Sequence, residues 1–451
     1  MALDTAATLR ASSIYQVFVR NWSAEGDFDA ALPSIEVAKG LGFDIIYLTP
    51  IHPVGATARK GTMGSPYAIA DYRGVDPALG GEEAFGRYLE AAHRAGLPVI
   101  IDVVFNHTSP DSLLAREHPE WFVKGADGKP GPRVADWSDV VDLDYSHQGL
   151  RDYLVETLEG WVRFGVDGFR CDVASMVPVD FWVEARRRCA LVRATLHDKA
   201  SGGPQAGKAA HAGAAPLIWL AESVHKEFVA ELRSRGIAAA CDAELHEAFD
   251  LSYDYDGRQE LEEAWAGKAP LSAYFRHLEL QRCMYPAHAI KARFLENHDQ
   301  VRAASRFQGA ALRNWTLFAM LLEGAFLAYA GQEAAIADKP SLFDKDPVPW
   351  ERGDPDFRRW FAEAQAATKA IRARETRFAL SEPAEGLVLI ERSGGGHPVA
   401  ALLNLRGLSG RLDLPGAIAG RDLLTGERVE LAAGAAIPRE PVLIEVGVSR
   451  V

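Results

Sequence analysis

Short apolar runs rich in β-branched residues alternate along the chain with longer segments whose apolar positions recur at helical spacing. The runs Ile14–Val19, Ile45–Leu48, Val99–Val104, Gly168–Asp172, Ile218–Glu222, Glu244–Phe249, Ala292–Glu296 and Ala325–Ala330 read as strands. Between two of them, Leu150, Leu154, Leu158 and Trp161, with Tyr153 beside them, fall on one helical face. Gly42, Gly96 and Gly236 stand where a helix has to stop before the next strand. Strand-then-helix units repeated eight times predict an α/β protein built as a (β/α)8 TIM barrel. The sixth strand fits worst, because AELHEAFDLSYDYD is polar for a strand buried on both faces.

Two insertions break this rhythm. Residues 108–147 follow the third strand, so they lie among the loops at the C-terminal mouth of the barrel and are long enough for a small subdomain. They carry Trp121, Phe122, Trp137 and Tyr145. The second insertion, Asp198 to Pro216, joins the fourth helix to the fifth strand on the opposite face. Its Gly202, Gly203, Gly207 and Gly213 and its lack of large apolar side chains predict a mobile surface loop with no catalytic part. Beyond about Arg374 the pattern becomes strands only. Segments such as Leu387–Glu391, Ala400–Leu405 and Val442–Val446 between Gly, Pro and Ser-Gly turns predict a C-terminal antiparallel β-sandwich. The expected division is therefore a barrel over 1–107 and 148–374, an insertion over 108–147 and a β domain over 375–451.

Composition narrows the function. Of 451 residues, 48% are hydrophobic and 25% charged, as in globular proteins. A net charge of −13 leaves no excess of Lys and Arg to displace counterions, which excludes a non-specific nucleic-acid binder. Cys171, Cys189, Cys241 and Cys283 show no C-x-x-C spacing and read as reduced thiols. The opening MALDTAATLRASS has no apolar leader core, and no run of about 18 apolar residues occurs. A soluble, cytoplasmic protein without a membrane partner is expected.

Catalytic groups of such barrels sit at the C-terminal ends of strands. Strand three ends in Asp102-Val103-Val104-Phe105-Asn106-His107, strand four in Gly168-Phe169-Arg170-Cys171-Asp172, strand five in Trp219-Leu220-Ala221-Glu222 and strand seven in Phe294-Leu295-Glu296-Asn297-His298-Asp299. Four strands thus deliver carboxylates to one mouth. Alternation puts Arg170 and Asp172 on the same side, where the guanidinium would keep Asp172 ionised as a nucleophile requires. Glu222 follows an apolar strand, and partial desolvation would keep it protonated as a general acid requires. One acid alone would read as a rim ion pair; two carboxyls in opposite protonation states are the machinery of glycoside hydrolysis.

DVVFNH (Asp102–His107), GFRCDVA (Gly168–Ala174), AES (Ala221–Ser223) and FLENHD (Phe294–Asp299) resemble, in order and spacing, the four sequence regions of the α-amylase superfamily, glycoside hydrolase family 13. GSPYAIADY (Gly64–Tyr72), VVDLDYS (Val140–Ser146) and YAGQE (Tyr329–Glu333) resemble further regions, so the likeness spans nearly the whole chain. It implies a barrel with a domain B after strand three and a C-terminal β-sandwich. It also implies that Asp172 is the nucleophile, Glu222 the acid/base and Asp299 the third, transition-state carboxylate. Arg170 would orient Asp172, His107 and His298 would hydrogen-bond the sugar before the cleaved bond, Tyr67 would stack beneath it, and Asp102 would support Arg170.

The chain departs from the pattern of long-chain α-amylases at Ser175-Met176, where those enzymes carry Lys-His, a sugar-binding and a calcium-linked residue. Asn106 and Asp142 could offer calcium oxygens, short of the roughly six to eight that calcium takes. No cofactor is expected to be required, and calcium is left open. Trp121, Trp137 and Trp350 are each expected to pack rather than to bind sugar. The expected activity is hydrolysis of α-1,4-glucosidic bonds in short maltooligosaccharides by a retaining mechanism. A glucanotransferase or a sucrose- or trehalose-type enzyme shares the same carboxylates, and a non-catalytic amylase-like binding protein would be expected to lack some of them.

Overall fold

The structure is a computed structural model and describes residues 2, 4–125, 127–134, 137–201, 215–374, 377–394 and 396–447. Eight parallel strands close a barrel: β1 (Ser13–Val17), β2 (Ile45–Leu48), β3 (Val99–Val103), β4 (Gly168–Cys171), β5 (Ile218–Ala221), β6 (Leu251–Tyr253), β7 (Ile290–Arg293) and β8 (Ala325–Tyr329), with β8 pairing β1. The strand period of two divides each strand cleanly. Ile14, Tyr47, Ile100, Leu220, Leu251, Ala292 and Leu327 fill the barrel interior, while their neighbours Tyr15, Ile46, Ile101 and Phe169 pack outward under the helices. The helix Gln148–Phe164 buries the expected stripe of Leu150, Leu154, Leu158 and Trp161. Gly96 ends the helix Gly81–Arg94 at φ +77°, its N–H bonded to the His93 carbonyl, a conformation that favours glycine.

Two strands sit elsewhere than the pattern of residues predicts. Glu244–Phe249 is not the sixth strand: Asp242–Leu245 is a helical turn, with the Glu244 carboxylate accepting the Cys241 N–H at 2.7 Å, and β6 follows at Leu251–Tyr253. Leu245, Ala248 and Phe249 are buried, but at helical spacing. The seventh strand is Ile290–Arg293, two residues before the expected start at Ala292. Both shifts have one cause. The outer sides of β6 and β7 face a buried ionic layer instead of apolar helix surface. Lys291 Nζ lies 2.6 Å from Asp242 and 2.8 Å from Asp256, and Arg293 lies 2.8 Å from Asp254. Burial opposes charge on Lys291, but the three aspartates outweigh it and raise its pKa. Strands whose outward residues are Lys, Arg and Ser do not look like buried strands.

After β3, a two-residue ribbon pairs His107–Thr108 with Val141–Asp142 and closes the excursion of the chain that includes the short helix Leu113–Glu117. The segment Asp198–Pro216 falls mostly outside the described residues. At the C-terminal side, β9 (Arg377–Ala384), β10 (Leu387–Ser393), β11 (Val399–Asn404), β12 (Ile418–Asp422), β13 (Arg428–Leu431) and β14 (Val442–Val446) form one antiparallel sheet in the order β9-β10-β11-β14-β12-β13. One face puts Val388, Ile390, Ala401, Leu403 and Leu443 into the main core. The other buries Leu389, Leu402 and Ile444 against Leu412, Leu414 and Leu431. Asn314 of the helix Ala310–Leu321 joins the two parts, accepting the Asn404 N–H at 2.7 Å and donating to the Arg439 carbonyl at 2.8 Å. No helix among the described residues is long and apolar enough to cross a membrane. The cysteines are free.

Backbone approach in the barrel is tight enough to test. A Cβ on Gly168 would stand 2.1 Å from the Ile218 carbonyl oxygen of the next strand, and backbone cannot swing aside. Gly168→Ala is expected to cost about 3 kcal/mol or more. Gly160→Ala, on an exposed helical position with nothing within 4 Å, is expected to stabilise by about 0.5–1 kcal/mol. Urea midpoints of the two variants check both signs.

Candidate active site

The inward positions at the top of the barrel are polar. In the register of β3 and β4, Asp102 stands opposite Arg170, and both side chains are fully buried. Arg170 Nη1 reaches Asp102 Oδ1 at 2.8 Å and Oδ2 at 3.0 Å, and also Asp172 Oδ1 at 2.7 Å. Its Nη2 lies 2.9 Å from Glu222 Oε1 as an ion pair, without the alignment of a hydrogen bond. The Tyr67 and Tyr253 rings each have their centroid 5.6 Å from the guanidinium. Carboxylates from β3, β4 and β5 therefore meet on one cation. The Tyr47 and Tyr67 hydroxyls both donate to Asp102 Oδ2, at 2.6 and 3.0 Å, so Asp102 is turned into the scaffold.

Asp172 and Glu222 face the mouth. Glu222 Oε2 accepts the Val173 N–H at 2.8 Å, and Val173 adopts φ +43°, ψ +41° immediately after Asp172. A β-branched residue in this left-handed region is strained by about 1–3 kcal/mol, held here by the Glu222 contact and the neighbouring strands. Burial pushes the Asp172 carboxyl well above the usual range; the Glu222 charge adds to the rise and Arg170 opposes it. Burial raises Glu222 too, against Arg170. Arg170 favours the ionised form of Asp172 as expected, but it is shared among three carboxyls, and burial together with Glu222 pulls the other way. Both carboxyls of the pair are thus held above the usual carboxylate range, chiefly by burial.

Asp299 behaves differently. Its side chain is 36% exposed at the mouth. Burial works against its charge, but His298, with Nε2 at 3.0 Å, Arg170 and Lys339 bring it down to about 2. His298 is held from behind by Gln16 Nε2, 2.6 Å from its Nδ1, and lies face to face with Tyr67 at 5.3 Å between ring centroids. Burial lowers His107 to about 4, so it is neutral in ordinary buffers; its Nε2 is 3.9 Å from Asp172 and its ring 5.5 Å from Trp137. The structure brings together every residue predicted for substrate chemistry: Asp172, Glu222, Asp299, Arg170, His107, His298 and Tyr67, with Asp102 behind them. Glu296 of the same strand-seven motif turns away, paired with Arg302 at 2.7 Å. The sequence reading missed Gln16, Tyr47 and Lys339. Gln16 and Tyr47 had a signal, a polar atom at an inward position of an apolar strand.

The catalytic-domain model of the α-amylase family matches residues 14–137 and 134–377. The chain belongs to the α-amylase family. It is 25% identical over 446 residues to the α-amylase MalA of Haloarcula japonica, covering 94% of this chain and 60% of that protein. An α-1,4-glucan:maltose-1-phosphate maltosyltransferase of Salinibacter ruber is 36% identical over 203 residues, 38% of this chain and 30% of that enzyme. The chain thus spans less than two thirds of the length of these relatives. Among solved structures, an α-amylase from Lactobacillus plantarum superposes with a TM-score of 0.87 at 38% identity, covering 97% of this chain and 99% of that one. A maltogenic α-amylase from Thermotoga neapolitana gives 0.82 at 30% identity over 98% and 100% of the two chains.

The turn that follows Asp172 packs into an apolar cluster. Met176 packs with Val173, Val229, Leu232 and Ala239, and Trp137, Val224 and Phe228 lie against that cluster. Ser175, in place of the family lysine, accepts the Val224 N–H at 3.1 Å and so faces the protein. Trp121 stacks on His118 and Trp350 donates to the Trp22 carbonyl, so those two pack as expected, while Trp137 borders the site.

The two residues named for calcium are partly engaged by protein groups. Asp142 Oδ2 takes the Arg133 N–H at 3.2 Å with the guanidinium 3.9 Å away, and the Asn106 amide nitrogen is 3.1 Å from His107 Nδ1. Asp142 Oδ1 is buried without a hydrogen-bond partner, and the described residues hold no group of three or more His, Cys, Asp or Glu suited to a metal. Burial lifts Asp142 to about 6 against the pull of Arg133. A carboxyl raised by folding stabilises while protonated, and that stability is lost as pH rises from about 4 through 6. Asp142→Asn is therefore expected to raise Tm relative to the parent at pH 8, by up to about 3 kcal/mol of stability, and to change little at pH 4. Parallel melts with calcium or EDTA are expected to superpose for both proteins; a calcium-dependent rise lost in the variant contradicts this reading.

Proposed function

We propose that the chain is a retaining α-glycosidase that cleaves α-1,4-glucosidic bonds of short maltooligosaccharides, with transfer to sugar acceptors as its side reaction. The observation that carries this is the convergence of Asp172 and Glu222 on Arg170 with Asp299 beside them at one mouth. With a proton on Glu222, that residue gives it to the glycosidic oxygen. Asp172 Oδ attacks the anomeric carbon as the C–O bond to the leaving sugar breaks, forming a glycosyl ester. Asp299, held ionised by its cationic neighbours, stabilises the positive charge that develops on the sugar ring. Glu222, now a carboxylate, takes a proton from water or from an acceptor hydroxyl, which displaces Asp172 and restores the starting state with the anomeric configuration retained. Tyr67, His107 and His298 hold the sugar in the first subsite.

Short substrates and transfer are supported by the leaving-group side. Neither Ser175, which accepts the Val224 N–H, nor Met176, which is buried in the apolar cluster, supplies the charged reach of the family lysine, and Trp137 beside His107 offers a ring face to a sugar. The names of the relatives, amylase and maltosyltransferase, span both outcomes.

Asp172→Asn and Glu222→Gln are each expected to lower kcat on maltotriose by three or more orders of magnitude, on the scale of ~10³, with unchanged Tm. With α-glucosyl fluoride, whose leaving group needs no proton, Glu222→Gln should accumulate a glycosyl-enzyme visible by mass spectrometry and Asp172→Asn should not. Identical behaviour of the two variants rejects the division of roles. On a maltooligosaccharide ladder, kcat/KM is expected to level off by about five glucose units, since each further sugar finds no additional platform. A continued rise past seven units rejects the short-substrate reading alone.

A further inference from the structure

A second cavity, of about 1260 Å³, opens at the other end of the barrel, where β1, β2, β3, β5 and β8 begin. The sheet residues Arg377, Arg392 and Ser393 and the end of the helix Pro355–Arg372 form its opposite wall. Its floor is apolar, from Leu9, Ile45, Pro98 and Ile218, and its rim and wall carry Arg10, Lys369, Arg372, Arg374, Arg377 and Arg392. Among the described residues that line it two are acids, Asp44 paired with Lys369 of the rim and Glu323 turned to Arg282, which leaves the arginines in excess. Asp44 accepts from Lys369 at 2.6 Å and from the Ser13 N–H at 2.9 Å, and Glu323 pairs with Arg282 at 3.2 Å.

The arginines are left short of partners. Arg372 and Arg392 are only 8% and 7% exposed. Arg372 Nη1 donates to the Met320 carbonyl at 2.7 Å and Arg392 Nη2 to the Leu321 carbonyl at 2.7 Å, but Arg372 Nη2, Arg392 Nε and Arg374 Nη1 are buried with no hydrogen-bond acceptor among the described residues. An unpaired buried guanidinium nitrogen is costly, and no apolar packing role needs it to be charged. Burial, with Arg392 adding to it and Asp44 opposing, lowers Arg372 to about 10, the mark of a cation lacking counter-charge. A role at the C-terminal end of the helix accounts for Lys369 and Arg372, which complement its dipole, and not for Arg374, Arg377 and Arg392 converging on the same space. In a chain of net charge −13, such a cluster is a local anion sink.

We propose that this cavity is a binding site for an organic phosphate of nucleotide type, its phosphates on the unpaired atoms of Arg372, Arg374 and Arg392 and its flat body on the apolar floor. The guanidinium fork matches phosphate oxygens. At about 1260 Å³ the space far exceeds what a lone phosphate fills and is somewhat larger than the roughly 300–1,000 Å³ of small-molecule sites, so it has room for a whole organic phosphate. An apolar floor offers sugar hydroxyls no partners, which favours a base over a hexose. Because the site lies at the strand starts, occupancy leaves the catalytic mouth open.

The test is calorimetric titration of the full protein with ADP, inorganic phosphate, glucose 1-phosphate and adenosine, with and without saturating maltotriose. ADP is expected to bind saturably below ~1 mM, at least about tenfold tighter than the other three, and unaffected by maltotriose. Arg374→Gln and Arg377→Gln, chosen because Arg392→Gln at a buried position risks misfolding, should each weaken ADP about tenfold with unchanged Tm and unchanged maltotriose cleavage. No saturable binding of ADP, or binding indifferent to both variants, overturns the site. Phosphate or glucose 1-phosphate binding as tightly as ADP overturns the nucleotide assignment, and displacement of ADP by maltotriose places the ligand in the catalytic mouth instead.

Discussion

One guanidinium organises the catalytic end of this molecule. Arg170 is fully buried, and a buried cation survives only if its surroundings supply negative charge and acceptors. Three strands each send a carboxyl to it, from Asp102, Asp172 and Glu222. The cation is thereby outnumbered by acids. The oxygens of Asp102 are filled by donors, two of them tyrosine hydroxyls, while Asp172 and Glu222 face the mouth, where burial raises the proton affinity of both. Under the proposed function, that raised affinity is what lets one of the pair carry a proton while the other acts as nucleophile.

That arrangement depends on the barrel. Arg170, Asp102 and Glu222 reach each other because inward positions of adjacent parallel strands stand side by side, and the tight contact of Gly168 with the Ile218 backbone draws β4 and β5 together. The left-handed backbone at Val173 turns the chain sharply after Asp172 and presents an N–H to Glu222. Strain at that residue and repulsion between the acids are both paid by the packed aliphatic layers below, Ile14, Ile100, Leu220 and Leu327 among them.

The sequence carried the catalytic face of the barrel well, for a physical reason. Parallel strands must all end at the same face, so motifs such as Gly168–Asp172 and Phe294–Asp299 locate a site once the strands are recognised. It carried β6 and β7 poorly because hydrophobic periodicity reports only apolar burial. There Lys291 and Arg293 are buried against aspartates, and an ionic layer has no apolar signature. Protonation was equally hidden: the pairing of Arg170 with Asp172 is readable at i and i+2, but that Glu222 shares the same guanidinium is a fact of three dimensions. Gln16 and Tyr47 sit in runs that read as ordinary apolar strands, and only the inward direction of their polar atoms connects them to His298 and Asp102.

Under the proposed function, the fate of the glycosyl intermediate is decided outside this cluster. Glu222 as a base treats a water proton and a sugar hydroxyl proton alike, so the carboxyls have no means of choosing between hydrolysis and transfer. The choice rests with whatever holds the acceptor next to Glu222. Beside the turn that follows Asp172, Met176 is packed into an apolar cluster with Val173, Val229 and Leu232, and Ser175 accepts the Val224 N–H, so positions 175 and 176 are both spent on packing the protein. A charged side chain at position 175 could not keep that hydrogen bond and that cover at once, so the neutrality of this side of the barrel mouth follows from how the loop after Val173 is held.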